Sequence, residues 1–184
     1  MENQRYQIAV EVSEVTNRNS ILDLGSSYGT LLNYLPKNIS YIGIDWNSQI
    51  DNHHHYLKTS HHHINHNLEL GLPEEVKKKK FDVIFILGTL NYLQNYRTLL
   101  FECREVLNPH GRIIISVPNQ RRYIRIPEDN IYQTHSKVNL INLANLLDMK
   151  YHIQGTQVRI PKLNWFFKSK QMIYNEETLM VLSL

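Results

Sequence analysis

The sequence predicts an α/β domain with a mostly parallel sheet and helices on both faces. Two observations carry this. Short continuous apolar runs recur along the chain with helix-spaced stretches between them, and the first run ends in a small-residue turn, Gly25-Ser26-Ser27-Tyr28-Gly29. Continuous runs belong to strands covered on both faces, and strands joined through helical crossovers pair in parallel. A chain of 184 residues, 42% hydrophobic and 20% charged, can bury a real core and reads as globular. The expectation is one domain over 1–184: a short helical segment at 1–19, a core at 20–120 and a closing part at 121–184.

The elements follow in order. The segment before residue 20 has room for one helix. Ser20-Ile21-Leu22-Asp23-Leu24 is the first strand, and a short helix through Leu31, Leu32 and Leu35 follows the turn until Pro36 ends it. Tyr41 to Asp45 is the second strand, and a third is expected near His63-Ile64-Asn65-His66. Phe81 to Leu87 is a fourth, apolar throughout except Asp82. Leu99, Leu100, Cys103, Val106 and Leu107 fall at helical spacing, and Asn108-Pro109-His110-Gly111 supplies turn residues before the fifth strand, Arg112 to Pro118. Residues 119–135 read as an irregular loop and Lys137 to Leu147 as a helix. Tyr151 to Val158 and Thr178 to Leu184 then form two strands without a helix between them, which predicts an antiparallel closing hairpin.

Composition removes several classes. The single cysteine, Cys103, leaves no disulfide framework and no cysteine-cluster metal site, and suits a reducing, cytoplasmic compartment. No apolar run reaches the roughly 20 residues of a membrane span, and Met1-Glu2-Asn3-Gln4-Arg5 is no signal peptide. A net charge of +3 tolerates anionic ligands without announcing a nucleic-acid binder.

A strand that ends in a small-residue loop lets a ligand approach the backbone closely. A dinucleotide fingerprint G-x-G-x-x-G would need glycine at positions 27 and 30, where Ser27 and Thr30 stand. The string also satisfies G-x-S-x-G, the serine-hydrolase elbow, but little chain precedes it to supply an upstream oxyanion strand. The third reading covers more of the chain. Asp23-x-Gly25-x-Ser27-x-Gly29, then Asp45, Asn67-Leu68-Glu69, Phe81-Asp82-Val83-Ile84 and Leu107-Asn108-Pro109-His110-Gly111 stand in the order of motifs in class I S-adenosylmethionine methyltransferases. The chain resembles that family from about residue 20 to 120, most of all its type 11, 12 and 23 groups and the methionine-biosynthesis protein W family.

The resemblance implies a Rossmann-like, seven-stranded sheet ending in an antiparallel hairpin. It implies methyl transfer from S-adenosylmethionine to oxygen or nitrogen of a small metabolite or natural-product-like acceptor, releasing S-adenosylhomocysteine. Asp23 would hold the loop, while Gly25, Ser26, Ser27 and Gly29 cradle the methionine end of the cofactor. Asp45 would take the ribose hydroxyls and Asn67 with Leu68 the adenine; Trp46 either lies on the adenine face or covers the sheet edge. Leu87 and Gly88 would flank the transferring methyl group. On the acceptor side the resemblance implies Tyr92, Asn119, Arg122 and Tyr123, with His135 as general base or, equally, a loop histidine bonding backbone. Arg121, Arg122 and Arg125 either hold an anionic acceptor or form a solvated basic loop.

Two departures from the family pattern matter: Ser27 replaces a glycine, and Asn67 stands where many relatives carry aspartate. They keep open a second hypothesis, a degenerate methyltransferase-like domain that binds and modulates a partner enzyme. Leu87-Gly88-Thr89-Leu90 stands in place of the Asp/Asn-Pro-Pro-aromatic motif of nucleic-acid amino-methyltransferases, so no nucleic-acid partner is expected, nor any membrane. The acceptor is expected to be a small molecule, anionic or carrier-bound, with an open site that a second subunit of a homodimer could complete. The histidines of the 53–66 tract could capture a transition metal, but no carboxylate or cysteine ligand is interleaved, and no metal is expected. Lys77-Lys78-Lys79-Lys80 reads as a solvated turn.

Overall fold

Along the first strand, β1 (Ser20–Leu24), Ile21 packs into one core and Leu22 and Leu24 into another. The same alternation runs through β2 (Ser40–Asp45), β4 (Phe81–Leu87) and β5 (Leu107–Pro118), so both faces of the sheet are buried. The computed structural model describes residues 2–46, 61–118, 135–159 and 173–184. Its sheet has seven strands in the order β3-β2-β1-β4-β5-β7-β6, with β3 spanning His61–Asn65, β6 Lys150–Arg159 and β7 Ile173–Ser183. β1 to β5 pair in parallel, whereas β7 is antiparallel to both β5 and β6. The expected closing hairpin is therefore present, and β7 inserts between β5 and β6.

Four helices are found among the described residues: α1 (Glu2–Ser13), α2 (Glu74–Lys77), α3 (Tyr96–Glu105) and α4 (Lys137–Leu146). Leu99, Leu100 and Cys103 of α3 and Leu140, Leu143 and Ala144 of α4 cover one face with Val76 of α2. Ala9 of α1, with Tyr6 and Val10 packed beside it, shares the other face with Leu31, Leu35 and Ile39.

Several boundaries shift from the sequence expectation, β7 among them, which starts at Ile173 rather than Thr178. The helix expected through Leu31, Leu32 and Leu35 is only a 3-10 turn over Thr30–Asn33; its apolar side chains are buried as anticipated, but Pro36 leaves no length for an α-helix. The third strand starts earlier than read, at His61, because His61 to Asn65 pair in register with Tyr41 to Asp45. β5 also starts earlier, at Leu107. Phe81 pairs with Leu107 but Val83 with Arg112, so Asn108 to Gly111 form the excursion that their turn chemistry suggests.

The opposite end of the sheet is fastened by Asp82. Its carboxylate accepts from the Ser20 N–H (2.8 Å), the Ser20 hydroxyl (3.0 Å) and the Asn108 amide (2.7 Å). Burial alone would raise its pKa, but these donors outweigh it and hold the carboxyl below the ordinary value. Lys77 is not simply solvated: it pairs with Glu102 (2.9 Å) and Glu74 (3.2 Å), while Lys80 donates to the Glu105 carbonyl (2.6 Å).

Candidate cofactor-binding site

The carboxyl ends of β1, β2 and β4 open into a cleft of about 630 Å³. Ligands of open α/β sheets bind at this edge, where crossovers leave a crevice. The turn after β1 forms one wall, and its shape follows from local bonding. The N–H groups of Gly25 and Ser26 both donate to the Ile44 carbonyl (2.8 and 3.1 Å), tying the loop to β2. Ser27 donates its N–H to Asp45 Oδ2 (2.8 Å), and Gly29 donates to the Ser26 carbonyl (2.8 Å). Gly25 has φ 77°, and a Cβ there would collide with the Thr89 hydroxyl, which itself donates to the Leu24 carbonyl (3.0 Å). Glycine is therefore required twice over at this position. Ser27 adopts φ 47°, so serine occupies the left-handed conformation that a glycine would otherwise supply.

Beneath the loop lies a buried polar layer. Tyr41 donates its hydroxyl to Asp23 Oδ2 (2.7 Å). Burial pushes the Asp23 carboxyl up to about 7; the Tyr41 hydroxyl and Arg5 oppose the rise, and the Asp45 charge adds to it. Tyr41 is itself raised well above the usual phenol value, first by burial and then by Asp23. The His63 ring sits 5.5 Å from that of Tyr41, in space that a side chain on Gly43 would occupy.

The far wall comes from the segment after β3. Asn67 accepts from the Glu69 N–H (3.0 Å), capping a 3-10 turn over Leu68–Leu70. Glu69 then accepts from the N–H groups of Gln94 (2.6 Å) and Asn95 (3.0 Å) at the start of α3, where a carboxylate also faces the positive end of the helix. After β4, Leu87 and Gly88 line the floor; Gly88 has φ 78°.

Of the residues predicted for the cofactor, Gly25, Ser27, Asp45 and Trp46 line this cleft, as do Asn67, Leu68, Leu87 and Gly88. Asp23 and Ser26 are buried under the loop instead, and Gly29 is not on the cleft wall. Trp46 is 74% exposed at the rim, and Tyr92, predicted for the acceptor, also lines the cleft. Asn119, Arg122 and Tyr123 lie outside the described residues, as do Arg121, Arg125 and the first three histidines of the tract. Among the described residues no group of three or more metal-ligating side chains gathers. His135 is buried away from the cleft wall. Its ring edge meets Tyr96 (4.9 Å between centroids), burial lowers its pKa, and a hydrogen bond to the Leu90 backbone partly opposes that fall. Sequence reasoning missed Arg5, Tyr6, Tyr28 and Thr89 on the cleft wall. Arg5 and Tyr6 come from α1, whose path across the sheet no local pattern reveals.

The donor set fits a nucleoside with a charged tail. A carboxylate at the end of β2 suits a ribose diol, a backbone turn at Asn67 and Leu68 suits a base edge, and the aromatic rim suits a base face. A family model described as "Methyltransferase domain" matches residues 22–113, a span that includes the loop, Asp45, Asn67 and Gly88. The chain belongs to this methyltransferase family. It is an S-adenosylmethionine-dependent enzyme of the class I, Rossmann-like type. No curated relative matches the methyltransferase. Among solved structures it is similar to the complex of the Haloferax volcanii Trm112 methyltransferase activator with a methyltransferase. There the TM-score is 0.76 at 15% identity, covering 99% of this chain and 90% of that one. An S-adenosylmethionine-dependent methyltransferase from Archaeoglobus fulgidus gives 0.75 at 14% identity, covering 100% and 94%. The N-methyltransferase NodS from Bradyrhizobium japonicum gives 0.67 at 12%, covering 98% and 94%. At these identities the likeness speaks for the fold.

Proposed function

We propose that the strand-end cleft holds S-adenosylmethionine and that the methyltransferase alkylates an oxygen or nitrogen of a small acceptor. The observation that carries this is the Asp45 carboxylate, fixed by the Ser27 N–H at the mouth of the glycine-bearing loop and lining the cleft. In this reading Asp45 receives the ribose hydroxyls, Asn67 and the Leu68 backbone meet the adenine edge, and Trp46 covers its face. Leu87 and Gly88 border the reacting carbon, and Tyr92 faces the acceptor. Bound S-adenosylmethionine supplies an electrophilic methyl group on a sulfonium and leaves as S-adenosylhomocysteine. The chain's own work is then alignment of the acceptor and exclusion of water.

His135 has a positioning part in this account. Its bond to the Leu90 backbone steadies the turn that carries Tyr92, and its burial beside Tyr96 keeps it from the cleft wall. The cleft volume lies within the range of roughly 300–1,000 Å³ typical of small-molecule sites, which suits a cofactor of the size of S-adenosylmethionine. Neither departure from the family pattern favours the regulator hypothesis. Ser27 keeps the left-handed backbone, and Asn67 keeps its turn capped. The test is methyl transfer from labelled S-adenosylmethionine to a panel of small hydroxyl and amine acceptors, with Asp45→Ala in parallel. Transfer by the wild type that falls with the variant supports the reading; transfer to nucleic acid alone would overturn the acceptor class.

A further inference from the structure

The histidine-rich tract runs onto β3, which forms one edge of the sheet, and one of its side chains reaches inward from that edge. His63 pairs in register with Gly43 of β2. Gly43 sits in a regular strand without a positive φ, so its backbone would accept a side chain. The space would not. A Cβ at Gly43 would stand 2.7 Å from His63 Nδ1, 2.8 Å from His63 Cε1 and 2.8 Å from the Ser26 hydroxyl. The imidazole therefore lies across the notch that Gly43 leaves in β2, and it ends beside the turn after β1.

The turn closes over that ring. Ser26 is buried, its carbonyl accepts from the Gly29 N–H (2.8 Å), and His63 Cε1 would meet a Cβ on Gly29 at 3.6 Å. The Tyr41 ring packs against the imidazole at 5.5 Å and 56°. His61 also packs on Tyr41 (5.7 Å between centroids), whereas His62, on the opposite face by strand alternation, is exposed. Between Ser26 and Gly29 stands Ser27, whose N–H holds Asp45 (2.8 Å), and Ser27, Tyr28 and Asp45 line the cleft. The N–H groups of Gly25, Ser26, Ser27 and Gly29 are all bonded within the fold, so what this loop offers a ligand is its shape. In a close-packed interior, a shift of Ser26 or Gly29 is passed on to the cleft wall.

We propose that His63 is a positioning residue of the cofactor site: from the edge strand it props the turn after β1 and so sets how tightly the cleft holds the cofactor. This rests on the reading of the cleft given above. His63 is not on the cleft wall, so its effect is carried by Ser26 and Gly29. The role is one of bulk. Removing the ring lets the turn sink into the notch, and a methyl group on Gly43 drives the ring outward against the turn. Both changes act on the same small volume.

The test is calorimetric titration of the full chain with S-adenosylhomocysteine, with the folding of each variant followed separately by urea denaturation. His63→Ala is expected to weaken binding by about tenfold, and His63→Leu, which refills the notch, to stay within about threefold of wild type. Gly43→Ala should also weaken binding by about tenfold. The double variant Gly43→Ala/His63→Ala should bind no worse than His63→Ala alone, because changes that share one cavity do not add. A histidine that only fills the core would lower the urea midpoint and leave the affinity of the folded protein alone. Affinity within about twofold of wild type in His63→Ala would therefore overturn the proposal. So would His63→Leu binding as poorly as His63→Ala, or losses that multiply in full in the double variant. Should Gly43→Ala fail to fold, the two His63 variants decide. Failure of the wild type to bind S-adenosylhomocysteine would instead strike the cleft assignment on which the proposal rests.

Discussion

Two residues in the loop share a left-handed backbone but differ in what they tolerate. Gly25 has both a positive φ and Thr89 in the place of its side chain, so Gly25→Ala should cost several kcal/mol, about 1–2 of it from backbone strain. Ser27 already tolerates φ 47°, and Ser27→Gly should change stability by less than about 1 kcal/mol, since relief of strain offsets the added freedom of the unfolded chain. Urea denaturation of the two variants separates these outcomes. Asp23 predicts a pH dependence. Its folded pKa of about 7 lies above the ordinary carboxylate value of about 3.9, so the stability it contributes is fully present below the lower value and lost as pH rises through the higher. Asp23→Asn keeps an acceptor for the Tyr41 hydroxyl and removes the titration. Relative to wild type it should gain about 1 kcal/mol per pH unit between pH 5 and 7, read from denaturant midpoints. A constant difference across that range would show that Asp23 does not titrate there. The sequence displayed Asp23 and the glycines plainly but not their partners. Tyr41 is an ordinary strand residue until the register of β1 with β2 brings it beside Asp23.

The short 3-10 turn after Asn67 links two walls through one residue. Glu69 lines the cleft and also binds the N–H groups that open α3. Glu69→Ala should cost about 1–2 kcal/mol in stability, the loss of a helix-start carboxylate with two acceptors. Amide exchange at Gln94 and Asn95 should speed up in that variant; unchanged exchange would contradict the latch. Strands were the legible elements here. Phe81–Leu87 follows directly from an apolar run, and the antiparallel hairpin from two strands with no helix between them. The first crossover was harder to read, because three leucines at helical spacing also fit a 3-10 turn closed by proline. His135 reads from the sequence as a general base or a loop histidine bonding backbone; the fold buries it against Tyr96 with a bond to the Leu90 backbone, a packing no local pattern shows. An imidazole with a lowered pKa loses its contribution as pH falls, opposite in sign to Asp23, which is why the variant-minus-wild-type difference is the quantity to measure.

At the scale of the whole molecule, a sheet buried on both faces brings three strand ends to one rim, and the chain's glycine turns and acidic residues meet there. Much of this site was readable, because the loop, Asp45 and Asn67 lie on consecutive crossovers and their order along the chain mirrors their order around the cleft. The α1 contribution was not readable, since Arg5 reaches Gly88 only through packing of a distant helix on the opposite core. The family sets the cofactor, and the proposed placement of its parts follows the lining of the cleft. The most direct test of that account is calorimetric titration of the full chain with S-adenosylhomocysteine, with NAD as control and Asp45→Ala as the site variant. The account predicts micromolar binding of S-adenosylhomocysteine, none of NAD, and a loss of about 1.5–3 kcal/mol in the variant for hydrogen bonds to a charged group. Wild-type binding that survives Asp45→Ala unchanged would contradict the assignment of the cleft.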